Sequence, residues 1–133
     1  MASVTGQAVR SVGKNADGTG RDSLLSRVRT MSGIEAAWVG AILDGEGCLV
    51  KDLREDRNYM RWTVGNTEPE LISTLLRATG VGTVLSPKQK KSHHRPFFVW
   101  NVSRRNEVLD IARQCVPYSL KAQVAVAWWD HGI

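Results

Sequence analysis

The run Trp38-Val39-Gly40-Ala41-Ile42-Leu43-Asp44-Gly45-Glu46-Gly47-Cys48 changes character in its middle. Its first half is apolar with helical spacing; its second half places two carboxylates on either side of a glycine and then a further glycine. Upstream, Ser32-Gly33-Ile34-Glu35 has the spacing of a capping box, in which Ser32 bonds a free N–H of the first turn and Glu35 reaches back. Ile34, Trp38 and Ile42 recur every four residues and form one apolar stripe. Ala37, Gly40, Ala41 and Gly45 form a second stripe of small residues, which lets another backbone approach closely, from the same subunit or from a second copy. Asp44 and Glu46 fall at the helix C-terminus, where the macrodipole disfavours negative charge. They need a compensating cation or hydrogen bonds. The Asp44-Gly45 pair by itself is also an ordinary turn signal between a core helix and a strand.

The chain has 133 residues, enough for one domain with a single core. Eighteen Lys and Arg against 13 Asp and Glu give a net charge of +5, which favours a polyanionic partner. No apolar run approaches the length of a membrane span. The N-terminus lacks the apolar core of a signal peptide, so the expected location is cytoplasmic, in a bacterium, a phage-infected cell or an organelle. The two cysteines, Cys48 and Cys115, are far apart and read as reduced core thiols.

Residues 1–31 read as a flexible basic arm preceding a single domain over 32–133. Residues 1–22 are rich in Gly, Ser, Thr and Ala without hydrophobic period, and residues 23–31 suit a short helical turn. The arm carries Arg10, Lys14, Arg21, Arg27 and Arg29, which would either meet phosphates or remain solvated. After Gly47, residues 48–54 suit a strand and 55–58 a polar turn. The next strand alternates clearly: Met60, Trp62 and Val64 face one way, Arg57, Tyr59, Arg61 and Thr63 the other. Thr67 and Glu70 suggest a second capping box, with Pro69 in the first turn and Leu71, Ile72, Leu75 and Leu76 as the buried stripe. Gly80 and Gly82 end this helix before a short strand over 83–85. No acid occurs between Glu70 and Glu107, and the loop over 87–96 holds Lys88, Lys90, Lys91, His93, His94 and Arg95. Such a run is commonly a solvated loop; joining two strands of an otherwise basic sheet, it suits phosphate contact better. The fourth strand turns Phe98, Trp100 and Val102 inward and Val99 and Asn101 outward. Ser103 is placed to cap a helix carrying Val108, Leu109, Ile111 and Ala112, which Pro117 breaks. A last helix from about Ser119 carries Leu120, Val124, Ala127 and Trp128.

Residues 39–47 resemble the LAGLIDADG motif of homing endonucleases, in its variant ending Asp-Gly-Glu-Gly. Val39, Gly40, Ala41, Ile42 and Leu43 fill the first five places, Asp44 and Glu46 the acidic ones, Gly45 the small one and Gly47 the last. Gly40-Ala41 inverts the family's usual Ala-Gly order. Val64-Gly65-Asn66-Thr67-Glu68 is similar to the family's Val-x-Asn-Thr-Asp step. Phe98-Val99-Trp100-Asn101-Val102-Ser103-Arg104 is similar to its Tyr-x-Trp-x-Val-Ser-Gly strand. Pro117-Tyr118-Ser119-Leu120-Lys121-Ala122-Gln123 is similar to its Pro-Tyr-Leu-x-x-Lys-x-x-Gln segment, shortened so that the register of Lys121 shifts. The resemblance covers residues 34–130 and implies an α+β fold, αββαββα, with a four-stranded antiparallel DNA-binding sheet.

It also implies an activity: metal-dependent hydrolysis of both strands of a long, partly palindromic double-stranded DNA site. Mg²⁺ suits sparse carboxylate ligation completed by phosphate and water. Glu46 would be its ligand, with Asp44 beside it, Asn66 would orient water and Lys121 would stabilise charge on the phosphate. Arg54, Arg57, Tyr59, Arg61, Thr63, Lys88, Lys90, Lys91, His93 and Arg95 would contact DNA. A single motif with no internal repeat implies a homodimer, with Ala37, Gly40 and Ala41 at the contact. The alternative on the same fold is a non-cleaving nucleic-acid-binding protein, an intron RNA maturase or a DNA-binding regulator. A degenerate member would be expected to lose Glu46, which is present. Zinc is disfavoured because three histidines and two scattered cysteines show no ligand spacing. An EF-hand fails because Cys48 and Val50 occupy later ligand positions.

Overall fold

The structure, a computed structural model, describes residues 25–52, 59–86 and 96–131, with Asp52, Tyr59 and His131 described by their backbone alone. The elements in chain order are α1 (Gly33–Glu46), β1 (Gly47–Asp52), β2 (Tyr59–Asn66), α2 (Pro69–Thr79), β3 (Thr83–Leu85), β4 (Phe98–Val102), α3 (Arg105–Cys115), a 3₁₀ turn (Val116–Tyr118) and α4 (Leu120–His131). The sheet order is β1-β2-β4-β3 with every pair antiparallel. The expected α+β class and αββαββα order are both found.

Period-two alternation on β2 and β4 divides the sheet into two faces. Met60, Trp62, Val64, Trp100 and Val102 are buried and pack with Val39 and Leu43 of α1, Ile72 and Leu75 of α2 and Val108 and Ile111 of α3. Two tryptophans sit at the centre, and each buried indole N–H has a backbone acceptor: Trp62 donates to the Val108 carbonyl at 3.1 Å and Trp100 to that of Val81 at 3.0 Å. Gly80 and Gly82 adopt positive φ, 73° and 111°, in the turn from α2 to β3, a conformation that costs a glycine nothing sterically. A Cβ at Gly82 would also overlap the Trp100 ring.

The capping box at Ser32 and Glu35 is formed in both directions. Two other expected caps are absent. Thr67 and Glu70 make no box; α2 begins at Pro69, and the Asn66 side chain accepts the Glu68 N–H at 2.9 Å in its place. Ser103 does not cap α3, which starts one residue later, after Arg104.

The segment over 25–31 is not a helical turn and is not free. Arg29 donates its backbone N–H to the Thr79 carbonyl and its guanidinium to the carbonyls of Arg77 and Ala78, a cation at the C-terminal end of α2 where the dipole favours it. Gln114 of α3 bonds the Met31 N–H and the Arg29 carbonyl. Arg27 pairs with the buried Glu107 at 2.9 Å. The packed body therefore starts before Ser32; residues 1–24 lie outside the described residues.

Helix faces differ from expectation in a consistent way. On α1 the core takes Ala36, Val39, Gly40 and Leu43, while Ile34 is 84% exposed and Trp38 and Ile42 are half-buried. On α4 the core takes Ala122, Ala125 and Trp128, and Leu120, Val124 and Ala127 are exposed. On α2 Leu76 is exposed, while Ile72, Leu75, Ala78 and Thr79 are buried. Cys115 is buried, and burial with Asp44's charge pushes its thiol up to about 12. Cys48, expected in the core, is exposed because its strand position faces the open side of the sheet. Among the described residues no helix is long and apolar enough to cross a membrane.

Candidate functional site

The C-terminal end of α1 and the N-terminal end of α4 meet and satisfy one another. Asp44 Oδ2 accepts the Leu120 N–H at 2.9 Å; Oδ1 accepts the Lys121 N–H at 3.0 Å and the Ser119 hydroxyl at 2.8 Å. Ser119 Oγ in turn accepts the Ala122 N–H. Three of the unpaired N–H groups that begin any helix are thereby bonded. In return the Lys121 ammonium bonds the carbonyls of Asp44 and Gly47, at 3.2 and 2.7 Å, at the negative end of α1. This is the compensation that two acids against a dipole require. Asp44 is thus a bridging cap, with both its oxygens engaged. Lys121 has two of its three protons on backbone carbonyls beside Glu46.

Desolvation alone raises the Asp44 pKa, but the N–H groups of Lys121 and Leu120, the Ser119 hydroxyl and the Lys121 charge outweigh it and hold the group below its ordinary 3.8. A depressed folded-state pKa contributes stability that is complete above the ordinary carboxylate range and is lost as pH falls through the folded value. Asp44→Asn turns a donor toward one backbone N–H and should cost about 1–2 kcal/mol near neutrality. Thermal melts of both proteins from pH 7 downward should show the gap closing as acid removes the wild-type advantage. A gap that is constant with pH would mean that Asp44's charge contributes nothing to the joint.

Glu46 points elsewhere. It is exposed, and its Oε1 accepts the Asn66 Nδ2–H at 3.1 Å, joining the end of α1 to the end of β2. Asn66 Oδ1 is held by the Glu68 N–H, which fixes the amide with its NH₂ toward the carboxylate. The structure thus gathers Asp44, Glu46, Asn66 and Lys121 around one helix end. Sequence reasoning missed Ser119, although a serine before an apolar helical run is an N-cap signal. Among the described residues no three His, Cys, Asp or Glu gather as a metal cluster. A single exposed carboxylate, Glu46, suits a hard cation only if the cation takes most of its shell from other oxygens.

The open face of the sheet carries Arg61 and Thr63, both partly exposed, as the alternation requires. Arg61 Nε is enclosed and has no hydrogen-bond partner among the described residues. Tyr59 lies on β2, but its side chain is not described. Arg54, Arg57, Lys88, Lys90, Lys91, His93 and Arg95 lie outside the described residues.

No family model matches the chain, and no curated protein does. Solved structures do match. The homing endonuclease I-CvuI, in complex with the I-CreI target, superposes with a TM-score of 0.54 at 18% identity, over 72% of this chain and 63% of that one. The archaeal intron-encoded homing endonuclease I-Vdi141I, complexed with DNA, gives 0.53 at 12% identity, over 73% and 65%. The LAGLIDADG meganuclease I-AabMI, bound to uncleaved DNA, gives 0.52 at 14%, over 73% of this chain and 37% of that one.

The fold is that of the LAGLIDADG homing endonucleases. The chain spans under two thirds of the length of the first two of these neighbours. Within this LAGLIDADG fold the motif helix is α1, and its small residues separate into two sets. Gly40 faces its own subunit: a Cβ there would lie 3.1 Å from Tyr118 Cβ and 3.2 Å from the Tyr118 carbonyl oxygen. Its small size is needed where α1 meets the 3₁₀ turn and the start of α4. Ala37 and Ala41 lie on the other side with Ile34, Trp38 and Gly45, a strip that is partly or fully exposed.

Proposed function

We propose that the chain is a metal-dependent, site-specific endonuclease of double-stranded DNA that acts as a homodimer. The observation that carries this reading is the exposed Glu46 carboxylate, held by Asn66 at the point where the motif helix meets the open sheet. A carboxylate kept exposed, without a cationic partner among the described residues and oriented by a fixed amide, suits a metal ligand better than a structural acid. A Mg²⁺ ion held there would offset charge on the scissile phosphate and favour ionisation of the attacking water. Asn66 fixes the rotamer of the carboxylate. Lys121 holds the helix end rigid and adds positive potential beside it. Arg61 stands partly exposed on the open sheet face, where a guanidinium suits a base edge or phosphate.

One subunit offers one Glu46, so cutting two strands calls for two subunits. The apolar strip of Ile34, Ala37, Trp38 and Ala41 suits a twin helix across a two-fold axis running along it, which would bring both Glu46 residues to the same end. The neighbours' complexes with DNA support the duplex as partner. The test is incubation of the purified chain with a randomised duplex library and Mg²⁺, with sequencing of the new ends. Enrichment of one partly palindromic site, cut on both strands, is the expected result. Recovery of bound but uncut duplex would leave a DNA-binding protein without nuclease activity.

A further inference from the structure

The strand register arranges the open face of the sheet in transverse rows. Thr63 and Thr83 each pair with Asn101 between them and form a polar row. The adjacent row pairs Gly65 with Val99 and Val99 with Leu85. Gly65 presents no side chain of its own; the Phe97 ring lies over it, so close that a Cβ on Gly65 would come within 2.5 Å of the ring. The second row is therefore wholly apolar: Phe97, Val99 and Leu85. It is not core. Phe97 is 40% and Leu85 57% exposed.

An apolar row on an open sheet face needs an occupant. The chain joining β3 to β4, whose ends are Leu85 and Phe97, contains Lys88, Lys90, Lys91 and Arg95 and no acid. Arg61 stands on the same face. An apolar strip on the same face as Arg61, and flanked in sequence by these cations, suits the duplex major groove, where the only apolar feature of a base edge is the C5-methyl of thymine. Resting on the proposed DNA-binding reading, we propose that Phe97, Val99 and Leu85 read thymine methyl groups. They would be specificity-determining residues additional to the polar and basic side chains of β2. The Phe97 ring, seated on the Gly65 backbone, is the rigid member of the row, and Leu85 on the edge strand the adaptable one.

The experiment is site selection by the full chain from randomised duplex libraries synthesised with thymine, with uracil in its place, or with 5-methylcytosine replacing cytosine. The wild type should enrich thymine at one or two positions in each half-site, by roughly fourfold per methyl group. That preference should vanish in the uracil library and extend to 5-methylcytosine in the third. Phe97→Ala and, separately, the near-isosteric Val99→Thr should weaken the thymine preference at those positions and leave the rest of the selected motif intact. An enriched motif that is identical in thymine and uracil libraries overturns this proposal and leaves the nuclease reading standing. No enriched motif in any library overturns both. A change of oligomeric mass in Phe97→Ala with unaltered thymine preference would assign the row to a protein contact and overturn the proposal as well.

Discussion

Glu46→Gln should abolish cleavage of the selected DNA site in Mg²⁺ while leaving the protein folded and bound to it. The substitution changes charge and almost nothing else. Glutamine has the same length and keeps an oxygen that can accept the Asn66 amide, so the link between α1 and β2 survives. What is lost is an anionic oxygen able to hold a hard cation, and a neutral amide is a far weaker ligand for Mg²⁺. If the cation supplies several kcal/mol of transition-state stabilisation, the loss is at least about a thousandfold in rate, or ~4 kcal/mol. DNA affinity should hold or rise, because a negative charge facing the phosphates has been removed. Asn66→Ala should cost less, about 10–100-fold, since it frees the carboxylate's rotamer without removing the ligand. The measurement is single-turnover cleavage alongside a binding isotherm in Ca²⁺ for each protein. Glu46→Gln cutting near the parent rate would remove Glu46 from the chemistry.

Much of this was legible because its signals are local. The Ser32 box spans four residues, and the strand alternation at Met60, Trp62 and Val64 is visible within five. The stop at Asp44 and Glu46 could be read too, with the need for compensation against the dipole. The identity of that compensation could not. Lys121 and Ser119 reach Asp44 across 77 and 75 residues, and no local pattern links them. Thr67-x-x-Glu70 shows the converse: the pattern is present, but Asn66 reaches the α2 terminus first, and the box never forms.

The helix faces failed for a different reason. On α1 both the stripe of Ile34, Trp38 and Ile42 and the set of Ala36, Val39 and Leu43 are apolar. On α4 Leu120 and Val124 compete with Ala122, Ala125 and Trp128. When two faces of a helix are greasy, periodicity says that a stripe exists and not which one turns inward. Ile34, Leu120 and Val124 stayed outside, where an unfilled apolar strip is itself a functional signal. Small residues went inward because the 3₁₀ turn and α4 approach α1 closely.

Gly40→Leu and Ala41→Leu, neighbours on one helix, should therefore fail in opposite ways. At Gly40 the added side chain meets Tyr118 and Ser119, with Ser119 Cβ 3.3 Å from the first new carbon. Ser119 cannot retreat without releasing the Asp44 carboxylate and the first turn of α4. The cost is the usual overpacking term, about 1–3 kcal/mol, plus part of the cap, which lowers the melting temperature by roughly 5–15 °C. At Ala41 the side chain points away from the subunit, and leucine is nearly as good a helix former as alanine. Its fold should melt where the wild type does. The same bulk placed on a two-fold axis is met twice, so the dimer should lose about 1–3 kcal/mol per site and double-strand cleavage with it. Calorimetry and light scattering of both variants, free and on DNA, separate the two failures. Ala41→Leu remaining dimeric and active would move the twin contact off this strip. Gly40→Leu melting like the wild type would show that the turn at Tyr118 can yield, and that α1 and α4 are joined less tightly than their shared caps imply.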